Sequence, residues 1–168
     1  VGLWVTGQRF FGSPYGIEEA VARSALDLTS PENRGLVIAQ AHWDEADARA
    51  LRAVASWLDG YFAGEAPIPA TVPLAPAGTD FQRRVWEAMD AIPYGATRTY
   101  GHLAVTLRDA GVPASGQAVG GAVGRNPLLL IRPCHRVVAA SGAGGYAAGG
   151  DAKAWLLAHE EATASSAS

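Results

Sequence analysis

Thr79-Asp80-Phe81-Gln82-Arg83-Arg84-Val85-Trp86-Glu87-Ala88-Met89 decides how the second half of this chain folds. Thr79 followed three residues later by Gln82 is a capping-box pattern. A hydroxyl and an amide each satisfy a backbone N–H that the first helical turn leaves unpaired. The pattern starts a helix, and Phe81, Val85 and Met89 recur at the spacing of one helical face. Pro93-Tyr94-Gly95 ends it in a turn. Working outward, residues 99–108 read as a second helix, 111–116 as a connecting loop and 117–125 as a third, short helix. Leu128-Leu129-Leu130-Ile131 is the longest apolar stretch, and residues 128–132 read as a buried strand. Two helices, a loop, a further short helix and a strand match a helix-turn-helix or winged-helix unit. After the Gly-rich loop 141–150, Asp151 can cap a last helix through Trp155, Leu156 and His159. The tail, 162–168, is small and polar and is expected to be flexible and fray.

Upstream, residues 64–76 hold four prolines in thirteen positions, the composition of an extended linker. The expected organisation is therefore an N-terminal α/β domain (1–63), a Pro-rich linker (64–78) and a C-terminal domain (79–161). Residues 1–5 and 35–40 look like strands. Residues 44–62 read as a helix, with Leu51, Val54 and Leu58 on one face. The fold class is α/β. The chain opens without Met and almost inside a strand, as a processed or truncated chain would.

At 168 residues, 49% hydrophobic and 17% charged, the chain can bury a real core. No apolar run approaches the roughly 18 residues of a membrane span, and no basic segment followed by an apolar one marks a signal peptide. A cytoplasmic protein without membrane partners is the expectation. The net charge of −3 argues mildly against nucleic acid as a partner, but the sum hides an asymmetry. Residues 1–80 carry five Arg and ten acids, whereas residues 81–136 carry seven Arg and three acids, a local +4. Arg binds phosphate through a fixed fork, so the question reopens.

The single cysteine excludes an intramolecular disulfide and a cysteine-rich zinc site. It lies in Pro133-Cys134-His135-Arg136-Val137. A thiol becomes a good nucleophile when a neighbouring cation or His lowers its pKa; His135 is adjacent, and Arg132 and Arg136 flank it. Taken alone, the same residues also fit a buried inert Cys beside a structural His. The short helix adds independent weight. Ala118, Gly120, Gly121, Ala122 and Gly124 leave it almost without side-chain bulk, and each glycine costs about 1 kcal/mol relative to Ala. Tight packing on a neighbouring helix is one reason for such a surface. Docking into the narrow minor groove of DNA is the other.

Phe81–Trp86, Ile92-Pro93-Tyr94-Gly95, Ala118-Val119-Gly120-Gly121-Ala122, Asn126-Pro127, Pro133–Val137, Gly145-Tyr146 and Lys153-Ala154-Trp155-Leu156-Leu157-Ala158-His159-Glu160 form seven ordered blocks. Together they resemble the O6-alkylguanine-DNA alkyltransferases, the methylated-DNA–protein-cysteine S-methyltransferases. The resemblance covers residues 79–161, about half the chain; upstream it is weak, chiefly Trp57–Glu65. It implies an RNase H-like N-terminal domain followed by a winged-helix-like DNA-binding domain. It also implies a monomeric, single-turnover DNA-repair enzyme that needs no cofactor or metal. Its partner would be double-stranded DNA carrying O6-alkylguanine, with O4-alkylthymine as a second substrate. By the same resemblance, Cys134 takes the alkyl group irreversibly, and His135 draws off the thiol proton through a water. Glu160 polarises that histidine, Tyr100 hydrogen-bonds the guanine ring, and Asn126 braces the turn before the cysteine. Gln117, Ala118, Gly120, Gly121, Arg125 and Arg136 fall at DNA-contacting positions. Tyr146 and Ala147 fall in the loop that closes over the flipped base, which must leave the stack to meet a thiol.

Two residues depart from the family pattern. Gln117 stands where an Arg usually precedes Ala-Val-Gly and replaces the flipped base in the duplex, so Arg108 or Arg125 would have to serve instead. Arg132 stands where an apolar residue usually precedes Pro-Cys. Two alternatives follow: a self-alkylating protein acting on a small alkylating metabolite, and a lesion-binding alkyltransferase-like protein. The second lacks the cysteine that this chain has.

Overall fold

The computed structural model describes residues 45–72 and 78–166. The strands expected at 1–5 and 35–40 lie outside them. Helix α1 (Glu45–Phe62) is followed by a 3-10 turn at Pro69–Thr71. Helix α2 (Asp80–Asp90) then leads to the two-residue strand β1 (Arg98–Thr99), helix α3 (Tyr100–Asp109) and helix α4 (Gly116–Val123). A 3-10 turn at Cys134–Arg136 runs into strand β2 (Val137–Val138), and α5 (Gly150–Ser166) closes the chain.

The capping box at α2 is present in full. Thr79 Oγ1 accepts from Gln82 N at 3.3 Å, and Gln82 Oε1 accepts from Thr79 N at 2.8 Å. Helices α3 and α4 have simpler caps, Thr99 and Ser115, whose hydroxyls accept from His102 N and Ala118 N. Val85, Trp86 and Met89 of α2 meet Leu103, Ala104 and Leu107 of α3 and Val119, Ala122 and Val123 of α4 in one core, with Phe81 packed against it. The Trp86 indole N–H donates to Ala122 O at 2.9 Å, pinning α2 to α4.

A second core joins the two halves. Trp57 and Tyr61 of α1, together with Val72, are buried against Leu130, Ile131 and Leu156, and Val54 and Leu58 pack on them. Residues 64–72 are therefore not a free extended tether, because burial of Val72 draws the chain back onto the body.

Two further expectations are corrected. Residues 128–132 are buried, as their composition demands, but they form a turn rather than a strand. Arg132 N bonds Leu128 O, Ile131 N bonds Leu129 O, and Leu130 takes φ 71°. A non-glycine residue there costs on the order of 1–2 kcal/mol, which the burial of Leu128, Leu129, Leu130 and Ile131 offsets. Part of the backbone pairing that a sheet would have supplied comes from a side chain, Asn126. The tail, expected to fray from residue 162, is helical as far as Ser166. Thr163 Oγ1 bonds His159 O at 2.8 Å and the Tyr94 hydroxyl at 2.7 Å, tying this last turn to the loop after α2.

Strands β1 and β2 pair in parallel, Arg98 with Val137 and Thr99 with Val138. The pairing is short, but it fixes the start of α3 beside the residues that follow Cys134. Among the described residues no helix is long and apolar enough to cross a membrane.

Candidate active site

Cys134 opens a buried 3-10 turn, and its own amide donates to Arg132 O at 2.8 Å. Asn126 spans the approach to this turn. Its amide Nδ2 donates to Leu128 O and Arg132 O at 3.3 and 3.1 Å, and its Oδ1 accepts from Leu128 N at 3.1 Å.

His135 is wholly buried, with Nε2 2.6 Å from Glu160 Oε1. Glu160 is also wholly buried and collects further donors. Arg136 reaches it through Nε at 2.8 Å and Nη2 at 3.0 Å, Tyr61 through its hydroxyl at 2.8 Å, and Gly95 through its backbone N–H at 3.0 Å. Gly95 sits at φ 73° in the turn after α2, a conformation that suits glycine. Burial pushes the Glu160 carboxyl up, but the hydrogen bonds and charges of His135 and Arg136 outweigh it and hold the group at about 2. An ionised carboxylate only accepts, so His135 Nε2 carries the proton and Nδ1 is the basic nitrogen. That Nδ1 is buried with no hydrogen-bond partner. Burial lowers the imidazole pKa, the Glu160 hydrogen bond and charge pulling against it, so His135 is neutral at pH 7.

Burial pushes the Cys134 thiol up to about 11, with Asn126, Lys153 and local N–H groups pulling it part of the way back. The flanking arginines are therefore not its activators, contrary to expectation. Arg132 turns to Asp90, and Arg136 is spent on Glu160 and, through Nη1 at 2.8 Å, on Ile92 O. Arg136 is 6% exposed, which also removes it from the DNA-contacting set in which the sequence placed it.

A cleft of about 510 Å³ opens above Cys134. Tyr100, Gly120, Gly121, Arg125, Asn126, Tyr146 and Ala147 line it, so most of the expected site residues meet there. Tyr146 also stands edge-on to the His135 ring, with centroids 6.3 Å apart. Gln117 and Ala118 lie on the exposed face of α4. Among the described residues, packing does not account for the glycines of that face. A methyl group on Gly121 would meet only Arg125 Nη1, at 3.5 Å, and one on Gly120 only the Tyr100 ring, at 3.8 Å. Both are ordinary contacts, so packing against the described residues does not require glycine at either position.

The model for the DNA-binding domain of 6-O-methylguanine DNA methyltransferase matches residues 80–162. The methylated-DNA–protein-cysteine methyltransferase of Methanosarcina acetivorans is 49% identical over 108 residues, 64% of this chain and 67% of that protein. Its counterpart in Methanosarcina barkeri is 46% identical over 122 residues, 72% of this chain and 74% of that protein. This chain belongs to that family. Among solved structures, Mycobacterium tuberculosis OGT in complex with DNA is 45% identical, with a TM-score of 0.60 over 66% of each chain. The O6-methylguanine-DNA methyltransferase of Pyrococcus kodakaraensis is 30% identical, with a TM-score of 0.54 over 77% of this chain and 71% of that one.

Within this methyltransferase family site, two residues escaped the sequence reading. Tyr61 comes from α1, 99 residues before Glu160, and only the weak match at Trp57–Glu65 hinted at it. Lys153 lay in a recognised block but was given no role of its own. It is fully buried, and its Nζ donates to Val137 O at 2.6 Å and Gly145 O at 3.2 Å. Among the described residues no three His, Cys, Asp or Glu side chains converge to hold a metal ion.

Proposed function

We propose that the chain repairs DNA by direct reversal, with Cys134 as the alkyl acceptor. The carrying observation is that Cys134 lines a cleft walled by the bare face of α4, while the next residue, His135, is hydrogen-bonded to the buried Glu160. His135 Nδ1 takes the thiol proton through a water while Glu160 holds the resulting imidazolium. Sulfur attacks the alkyl carbon in line, the S–C bond forms, and the C–O6 bond breaks. Tyr100, which shares the cleft with Cys134, hydrogen-bonds the guanine ring and helps it leave with the electron pair. The thioether is not reversed, so one molecule repairs one lesion. Tyr146 and Ala147 close over the extruded base, and Asn126 keeps the turn rigid.

The fold reading that goes with this is a winged-helix-like DNA-binding domain at 79–161, reached through the 64–78 linker from an RNase H-like domain at 1–63. Helix α4 lies in the minor groove, with Gln117, Ala118, Gly120 and Gly121 toward DNA. Of the two arginines considered as substitutes for the missing finger, Arg108 is tethered to Ala114 O at 2.8 Å. Arg125 lines the cleft, bonded to Gly121 O at 3.0 Å, and is the better placed.

Incubation with a duplex carrying O6-methylguanine should add one methyl mass to the Cys134 peptide and none to a Cys134→Ser chain. An unmodified peptide after complete mixing would sink the reading. The small-metabolite alternative is favoured by Gln117 alone. It predicts that free O6-benzylguanine reacts as fast as alkylated duplex, with no salt dependence. Gln117→Arg should raise the rate on duplex several-fold while leaving that on free benzylguanine unchanged. Equal rates on duplex before and after the change would assign the finger's work to another residue.

A further inference from the structure

Arg132 is 8% exposed and sits where the family pattern has an apolar side chain. Burying a guanidinium is costly unless it is paired, and its environment is specific. Its Cζ lies 5.4 Å from the Trp86 ring centroid, and its Nη2 is 3.5 Å from Asp90 Oδ2. Its remaining side-chain nitrogens, Nε and Nη1, are buried without hydrogen-bond partners, as is Asp90 Oδ1. Its backbone carbonyl accepts from both Cys134 N and Asn126 Nδ2. The same Trp86 that faces the guanidinium donates its indole N–H to Ala122 of α4.

The main chain that holds the nucleophile and the helix that faces DNA are thus joined through one side-chain cluster on α2. We propose that Arg132, held between Trp86 and Asp90, is a positioning residue for alkyl transfer: it sets the Cys134 turn relative to α4. The proposal rests on the function given above. Arg132 touches no reacting atom; it acts through the carbonyl that binds the Cys134 amide and through Trp86.

The charged groups facing Asp90 are Arg132, across the contact, and Glu87, one turn back on α2. Burial pushes the Asp90 carboxyl up to about 6, with Arg132 pulling it down and Glu87 adding to the rise. A carboxyl held above its unfolded value of about 3.9 makes the fold less stable at neutral pH, and this loss shrinks as pH falls below about 6 and is gone only near the unfolded value. Neutralising Asp90 therefore relieves the fold while loosening the hold on Arg132. Stability and rate should move apart, which a merely structural role would not produce.

The experiment measures second-order rates of Cys134 methylation by O6-methylguanine duplex from pH 5 to 8, with melting temperatures, for the full chain and its variants. Asp90→Asn should melt no lower than wild type at pH 7 yet react about tenfold more slowly, the scale of effect expected of a small misplacement near the reacting atoms. The wild-type rate should lose that factor through a step near pH 6 that the variant lacks. Arg132→Met should show the same loss, and the double variant no further one, because the two act as a unit. Wild-type rates and an unchanged acid step in Asp90→Asn, or losses that multiply in the double variant, would overturn the proposal. A wild-type chain that takes up no methyl group at all would overturn the functional reading as well, which separates the two failures.

Discussion

Glu160→Gln should cost this protein on the order of 3 kcal/mol of stability at pH 7 and remove most of its alkyl-transfer activity. The carboxylate is itself fully buried and accepts five hydrogen bonds from four residues. Glutamine keeps the shape but brings an NH₂ donor against donors and leaves the buried Arg136 guanidinium without its counter-charge. Removing one partner of a buried pair is worse than replacing both. The pH dependence of the wild type carries the same information. A group held at about 2 in the fold and near 4.3 when unfolded contributes stability that is fully present above the unfolded value. That contribution is lost as pH falls from about 4.3 through about 2. Urea midpoints of the two chains should therefore lie far apart at pH 7 and converge toward pH 2–3. Equal midpoints at pH 7 would show that Tyr61, Gly95 and Arg136 find other partners. In activity, the variant should be slow even where it is fully folded, because His135 loses the charge that stabilises its protonated form.

What could be read from the sequence divides along a physical line. Local signals were reliable: the Thr79–Gln82 box, the turn at Pro93–Gly95 and the bare face of α4 each depend on residues within one or two turns of one another. Residues 128–132 misled because a short apolar run says that a segment is buried, not what conformation buries it. The missing information was Asn126, whose side chain replaces a neighbouring strand. Charge was misread for a related reason. Seven Arg in residues 81–136 looked like a phosphate-binding surface, yet Arg132 and Arg136 are buried, and Arg83 and Arg84 pair with Asp80 and Glu87. Arg98, Arg108 and Arg125 remain on the exposed side with α3 and α4. Pairings across 24 residues, as between Arg136 and Glu160, or 99, as between Tyr61 and Glu160, leave no trace in a sequence window. The chemistry of the site rests largely on those pairings.

His135→Gln should separate the base from its support. Glutamine can still offer an N–H to Glu160, so the buried carboxylate keeps a donor, but no basic nitrogen remains in place of Nδ1. In the wild type the thiol, held at about 11, is ionised in only about one molecule in ten thousand at pH 7. Its reactivity there must come from proton transfer during attack rather than from standing thiolate. The neutral imidazole is available for that at and above pH 7, so the wild-type rate should change little from pH 7 to 9. The variant must wait for thiolate. It should react about 10²–10⁴-fold more slowly at pH 7, then gain close to tenfold per pH unit as the thiol ionises. The range above pH 7 also lies clear of Asp90, so the two titrations do not mix. Stopped-flow or quenched methylation of Cys134 across that range decides the matter. A wild-type rate in the variant would remove His135 from the proton transfer. A slow but flat profile would mean that some other group takes the proton, with Lys153, which interacts with the thiol, the first candidate.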